Sequence, residues 1–262
     1  MSGDIQRRFN LWMKPPLPPP NWGNDELSRF LDKARENTFA NFNNLEADYK
    51  KLTSIDSLFE DVVSNLSHTS FSALFVFQSH SAYRAALSLL LGGQVAESYA
   101  CMRLTLENAL YAFYMFKNPD SLKTWMRRHE NENAKKAVTK EFRIRGEPRN
   151  GSKSMLATLG ECDKKLGLVA EILYEHTINF GAHPNQYGLK QRLNTTKVDD
   201  QIKIEMAYLI RGDSPASKYA LECAANIGMG VLAIFRLIYL ERFNIIGVSE
   251  KMELLKRQYF PS

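Results

Sequence analysis

Residues 71–117 read FSALFVFQSHSAYRAALSLLLGGQVAESYACMRLTLENALYAFYMFK, and this stretch decides the fold. Two apolar runs, each far longer than a typical strand, flank the pair Gly92-Gly93. A glycine pair ends a helix, and a short connection makes the neighbouring helices antiparallel. The stretch therefore predicts a long antiparallel helix hairpin at the centre of the fold, ended by Asn118-Pro119.

The rest of the chain extends this bundle and adds one small β element. In QIKIEMAYL (201–209) apolar residues alternate with polar ones, which is a strand pattern. YGLKQRL (187–193) offers a partner strand, with NTTKVDD (194–200) as the turn. The predicted fold class is mainly α: a helical bundle built on the long hairpin, with a small β-hairpin near residues 187–208.

Composition divides the chain into three parts. Residues 1–24 contain KPPLPPP and predict a proline-rich N-terminal arm in an extended conformation. Residues 25–245 predict a single helical domain that contains the β-hairpin as an insertion. Residues 246–262 are expected to form a C-terminal tail.

Location and cofactors are predicted from what the sequence lacks. The N-terminus has no apolar run typical of a signal peptide, and the apolar runs contain charges or are too short to span a bilayer. The three cysteines are widely spaced and form no CxxC pair. We therefore expect a cytoplasmic protein with no membrane partner, and we find no motif for a cofactor or a metal.

Polar residues on the two central helices stand out against their apolar neighbours. His80 and Arg84 share one face of the first helix, and Arg103 and Glu107 share one face of the second. If Gly92-Gly93 forms the turn, two residues that lie at the same level on the two antiparallel helices have residue numbers that sum to about 185. All four residues then lie at one level, and we expect them to form a single buried network because an unpaired buried charge is costly.

A later helix ends in YEHTINFGAHP (174–184), which carries two histidines. Helical spacing places His176, Asn179 and His183 on one stripe. His176 and His183 are two turns apart, roughly 10 Å along the axis, which is too far for one metal ion unless the helix unwinds near Gly181. Two interpretations remain open: acid–base chemistry on a phosphodiester, with candidate catalytic residues Arg103, Glu107, His176 and His183, and a structural polar network.

The second central helix and the later histidine-containing helix end together resemble a known group of proteins. GGQVAESYACMRLTLENALYAFYMF (92–116) followed by YEHTINFGAHP resembles a group of uncharacterised bacterial all-helical domains of unknown function, with a helix containing Arg and Glu and a later Tyr…Ser…His-Pro. Asn179 stands where that group more often has serine. The group is distantly similar to HEPN-type bundles, many of them ribonucleases in defence systems. The resemblance implies a defence context and a ribonuclease site built from Arg103 and His183 across helices.

The positive charge of the chain is concentrated in residues 135–153. This segment holds seven basic side chains against two acidic ones, which equals the net charge of +5 for the whole chain. A polyanion such as RNA would be attracted there, with candidate nucleic-acid-binding residues Arg143, Arg145, Arg149 and Lys153. Three functions are therefore open: a non-catalytic interaction module that forms a homo-oligomer, a HEPN-like ribonuclease, and a nucleic-acid binder. The first is favoured.

Overall fold

The computed structural model describes residues 17–66, 71–147, 153–184, 186–198 and 201–260, and it confirms a mainly α-helical bundle. An irregular turn, Ile178–Ala182, continues one helix, and two strands, β1 (Leu193–Val198) and β2 (Gln201–Met206), precede the long C-terminal helix. In chain order the helices are α1 Glu26–Asn44, α2 Glu46–Asn65, α3 Phe71–Leu91, α4 Val95–Lys117, α5 Ser121–Met126, α6 Glu132–Glu141, α7 Met155–Cys162, α8 Lys164–Thr177, α9 Gln186–Lys190, α10 Pro215–Ile238, α11 Leu240–Ile245 and α12 Val248–Tyr259.

The predicted hairpin of α3 and α4 is confirmed. Gly93 adopts a φ of +93°, a conformation that glycine reaches without strain, and its amide donates to the Leu90 carbonyl. The Ser79 hydroxyl on α3 donates to the Thr105 carbonyl on α4 at 3.0 Å. Since 79 and 105 sum to 184, the register predicted from the glycine turn is correct.

Helix α10 closes the core against the hairpin. Ser214 caps it and Pro215 occupies its first turn, as the sequence indicates. A Cβ atom at Gly228 would lie 2.6 Å from Cγ2 of Ile55, so glycine allows α10 and α2 to cross closely. Among the described helices, α10 alone is long and apolar enough to cross a membrane. Core helices of bundles pass the same test, and 61% of the most apolar 18-residue stretch of α10 is buried inside the fold.

The N-terminal arm is described only in part, since residues 1–16 lie outside the described residues. In the remainder, the Trp22 amide donates to the Pro19 carbonyl, and the Gly23 amide donates to the Ser28 hydroxyl at the start of α1. The Asp25 side chain then caps α1 by accepting from the Ser28 amide at 2.8 Å. The arm therefore turns directly into the first helix.

Most of the segment 246–262, which we expected to form a C-terminal tail, is helical. Residues Val248–Tyr259 form α12, which packs against α2, and residues 261–262 lie outside the described part. Val248 and Met252, one helical turn apart, are completely buried. These two side chains pack into the core together with the partly buried Leu255, and Lys251 pairs with Asp61 on α2.

The predicted β-hairpin is present, but its first strand was predicted at the wrong residues. Residues 186–190 form the short helix α9, and β1 occupies most of the segment predicted as the turn. Leu193 pairs with Met206 and Val198 with Gln201. The run Thr195, Thr196 and Val198 is rich in β-branched residues, whose strand preference outweighs the turn tendency of the neighbouring polar residues.

Candidate functional site

Arg103 is the centre of a polar cluster that joins α4 to the end of α8. Its Nε donates to Oε1 of Glu107 at 2.7 Å, its Nη2 to the Tyr174 hydroxyl at 2.8 Å, and its Nη1 to Nε2 of His183 at 2.6 Å. The Tyr174 hydroxyl also donates to Glu107 at 3.4 Å. We call Arg103, Glu107, Tyr174 and His183 the Arg103 cluster.

Local structure explains why these four residues meet. Arg103 and Glu107 are one turn apart on α4, and Tyr174 faces them from the last turn of α8. A Cβ atom at Gly181 would lie 1.9 Å from the Ala96 carbonyl oxygen, so only glycine lets the Ile178–Ala182 turn approach α4 this closely. That approach brings His183, directly after the turn, back to Arg103.

The Arg103 cluster lies at the boundary between core and solvent. The side chains of Arg103 and Glu107 are about one-quarter exposed, Tyr174 is buried and His183 is exposed. Burial and the nearby Glu107 carboxylate raise the pKa of Tyr174, so its hydroxyl keeps its proton. Because arginine only donates, the hydrogen bond from Arg103 requires Nε2 of His183 to act as the acceptor.

His176 does not join the Arg103 cluster, although helical spacing had placed it on the stripe of His183. Its Nδ1 lies 3.0 Å from the hydroxyl of Tyr219 on α10. Two positions along a helix rotate a side chain by about 200°, so His176 faces away from Tyr174. Burial lowers the pKa of His176. The irregular turn, absent from the helical projection, separates the two histidines.

His80 and Arg84 belong to a different cluster, so the predicted single network is wrong. Both bind Asp56 on α2: Nε2 of His80 lies 2.7 Å from Oδ1, and Arg84 makes two bonds of 2.8 Å with the same carboxylate. Burial alone would raise the pKa of Asp56, but the hydrogen bonds from Arg84 and His80 outweigh it and lower that pKa to about 2. Arg84 also pairs with Glu60.

The basic residues proposed to bind nucleic acid are engaged within the chain wherever they are described. Arg143 donates to the carbonyls of Lys140 and Glu147. Lys153 forms an ion pair with Glu161. Arg145 pairs with Glu175, and Arg149 lies outside the described residues.

Arg145 provides a contact that the sequence did not indicate. Its guanidinium carbon lies 5.9 Å from the centre of the Tyr174 ring, and that of Arg103 lies 5.0 Å from the same centre. The basic segment and the Arg103 cluster are therefore neighbours. In the sequence, the Glu175 carboxylate directly after Tyr174 indicated that a basic partner would lie nearby. Sequence spacing did not identify Arg145 as that partner.

No protein-family model matches the sequence, and neither the curated proteins nor the solved structures contain a significant match. The resemblance to HEPN-type bundles therefore stays a prediction. In the described parts of the chain, no three His, Cys, Asp or Glu side chains are grouped closely enough to hold a metal ion.

Proposed function

We propose that this protein is a non-catalytic interaction module that self-associates through the free edge of β2. The observation that carries the proposal is an exposed β-hairpin. Among the described residues, strands β1 and β2 pair with each other and make few contacts with the helices. An isolated two-stranded hairpin is at best marginally stable in water, and its unpaired edges are templates for further strands.

Two described side chains of β2 favour an interface on one face of the strand. Ile204 is 63% exposed and Met206 is 55% exposed, on the same face of the strand. Leu193 and Tyr208, at the base of the hairpin, are exposed as well. Apolar side chains clustered on one projecting element favour burial against a partner.

The backbone of β2 is oriented for pairing at Ile204. The Ala207 amide donates to the Arg192 carbonyl, one position beyond the Leu193–Met206 pair. Hydrogen-bonding direction alternates along an antiparallel strand, so the amides of Ile204 and Met206 point to the free edge.

Charge complementarity supports the proposal that the partner is a second copy of this chain. If two β2 strands pair antiparallel about a two-fold axis at Ile204, Lys203 of each chain lies opposite Glu205 of the other. Within one chain these two side chains already form an ion pair of 2.6 Å on one face. Opposite charges placed directly across strands stabilise pairing, whereas like charges oppose it.

The proposal is tested by charge exchange and analytical ultracentrifugation. Wild type is expected to dimerise, and Lys203→Glu or Glu205→Lys alone to raise the dimer Kd about tenfold, since two attractive pairs become repulsive. An equal mixture of the two single variants is expected to form heterodimers. The double variant, which carries both Lys203→Glu and Glu205→Lys, is expected to form homodimers again. Lys123→Glu on α5 is the matched control, because Lys123 is an exposed lysine that also pairs with an acidic neighbour. A monomeric wild type, or variants that dimerise equally well, would contradict the proposal.

A HEPN-like ribonuclease is the second candidate, favoured by the exposure of His183 beside Arg103 and by the nearby Arg145. Nε2 of His183, the atom that would act as a general base, accepts a hydrogen bond from Arg103. An RNA phosphate would therefore have to draw Arg103 away from His183 first. If the site is catalytic, His183→Ala abolishes RNA cleavage without unfolding the protein, and His129→Ala, at an exposed histidine outside the cluster, does not. Absence of cleavage by wild type eliminates this candidate.

Nucleic-acid binding without chemistry is the third candidate, favoured by the charge of residues 135–153. Neutralising Arg143, Arg145 and Arg149 to glutamine should weaken RNA binding and reduce its salt dependence. The control is neutralisation of Lys218 and Arg211, which lie elsewhere on the surface. Equal binding by both sets of variants would contradict a role for this segment.

A further inference from the structure

A pocket lined by aromatic rings lies between α4, the Ile178–Ala182 turn, α9 and the start of α10. Its volume is about 380 Å³, which is in the range of small-molecule sites. We call it the aromatic pocket. It is lined by Tyr99, Phe180, Tyr187, Lys190, Gln191, Pro215, Ala216 and Tyr219.

Phe180 organises the aromatic pocket. Its ring centre lies 5.7 Å from that of Tyr99, 5.8 Å from that of Tyr187 and 4.8 Å from that of Tyr219. The close approach at Gly181 fixes Phe180 against α4. Tyr99 is completely buried, whereas Tyr187 and Tyr219 are partly exposed, so the pocket has a closed inner end and an open rim.

Two buried polar atoms of the lining residues have no hydrogen-bond partner among the described residues. They are the hydroxyl oxygen of Tyr99 and Oε1 of Gln191. Nε2 of Gln191 donates to the Phe180 carbonyl at 3.4 Å, which leaves Oε1 as the free acceptor. Burial raises the pKa of Tyr99, so its hydroxyl remains a donor at neutral pH. Buried groups of this kind are normally satisfied, and a ligand that satisfies both would be recognised by them.

The rim of the pocket adds positive charge. Lys190 is exposed and lines the pocket, and it has no carboxylate partner among the described residues. A matching ligand is therefore flat enough to stack on aromatic rings, presents one acceptor and one donor along an edge, and carries an anionic group at a distance from that edge. Nucleobases stack on aromatic side chains regardless of sequence, and phosphates bind lysine.

We propose that the aromatic pocket binds a nucleoside monophosphate. The base stacks on Phe180 and Tyr219, its edge accepts from Tyr99 and donates to Gln191, and its phosphate lies at Lys190. This site is separate from the Arg103 cluster and from the β2 edge, and it requires neither catalysis nor self-association.

The experiment titrates the full chain with AMP, GMP, CMP and UMP in parallel, with the corresponding nucleosides, by isothermal calorimetry. Saturable binding of at least one nucleotide is expected, with the nucleoside about tenfold weaker because it lacks the anion. Lys190→Gln should lower nucleotide affinity to that of the nucleoside and leave nucleoside affinity unchanged. Tyr99→Phe should weaken both ligands about tenfold.

Tyr99→Phe also separates recognition from folding. It keeps the buried ring and removes an unpartnered hydroxyl, so the free protein should melt at an equal or higher temperature while the ligand binds less well. Tyr259→Phe, at a half-buried tyrosine on α12 outside the pocket, is the matched control and should change neither property. Failure of all four nucleotides to bind, equal affinity for nucleotide and nucleoside, or binding unaffected by Tyr99→Phe would each overturn the assignment.

Discussion

Arg103 and His183 are 80 positions apart in the sequence, yet Nη1 of Arg103 donates to Nε2 of His183 at 2.6 Å. Together with the bond from Arg103 to Tyr174, this contact fastens α8 and the following turn to the central hairpin. One guanidinium thus serves three partners on three segments of chain. A planar group with a fixed arrangement of donors suits this task, and a lysine does not.

Removing the Arg103 side chain should therefore destabilise the fold. Arg103→Ala leaves the partly buried Glu107 carboxylate without its cation and Tyr174 with a weaker partner. We expect a loss of about 2–3 kcal/mol in the free energy of unfolding, measured by urea denaturation, and a smaller loss for Arg103→Lys. Arg211→Ala is the control, because its ion pair with Asp213 is largely exposed and should be worth under about 1 kcal/mol. Equal losses for both arginines would contradict this role.

Acid should weaken the fold through Asp56. The pKa of Asp56 is about 2 in the folded chain, below its ordinary value of 3.8, so the folded state holds the ionised carboxylate more tightly. The resulting stability, about 2 kcal/mol, is complete above pH 4 and disappears as the pH falls toward 2. Asp56→Asn should lower stability at pH 7 and flatten its decline between pH 4 and 2, as followed by circular dichroism. The control variant Asp213→Asn should lose stability between pH 4 and 2 as wild type does. A loss of stability in Asp56→Asn equal to that of wild type would refute the role of Asp56.

Gly181 should tolerate no side chain. A Cβ atom there would lie 1.9 Å from the Ala96 carbonyl oxygen, and the backbone would have to move. Gly181→Ala is expected to lower the free energy of unfolding by about 1–3 kcal/mol. At Gly160 in α7 an added Cβ would meet nothing within 4 Å, so Gly160→Ala should be neutral or stabilising. Thermal melts that show the reverse order would contradict the packing described for the Ile178–Ala182 turn.

The central hairpin was predictable because its signals are local. The apolar runs, the glycine turn and the register between Ser79 and Thr105 all follow from residues in one continuous stretch. The pairing of Arg103 with Glu107 follows from helical spacing in the same way. The approach of His183 to Arg103 was expected from the resemblance to HEPN-type bundles and not from a local pattern.

The remaining contacts depend on which neighbouring helix each face meets, and helical period does not provide that information. His80 and Arg103 do lie near one level, but their faces point to α2 and α8 respectively, so they satisfy different partners. The irregular turn at Gly181 reoriented His183 relative to His176, and no periodic pattern signals such a turn. The aromatic pocket was missed for a similar reason, since its residues come from four separate elements.

Self-association through β2 is measured most directly by amide hydrogen exchange at increasing protein concentration. At low concentration the amides of Ile204 and Met206 point to solvent and should exchange rapidly. At concentrations above the dimer Kd we expect protection of these two amides, which Lys203→Glu reverses and the double exchange of Lys203 and Glu205 restores. Exchange at Ile204 and Met206 that is the same at every concentration would contradict the proposed function.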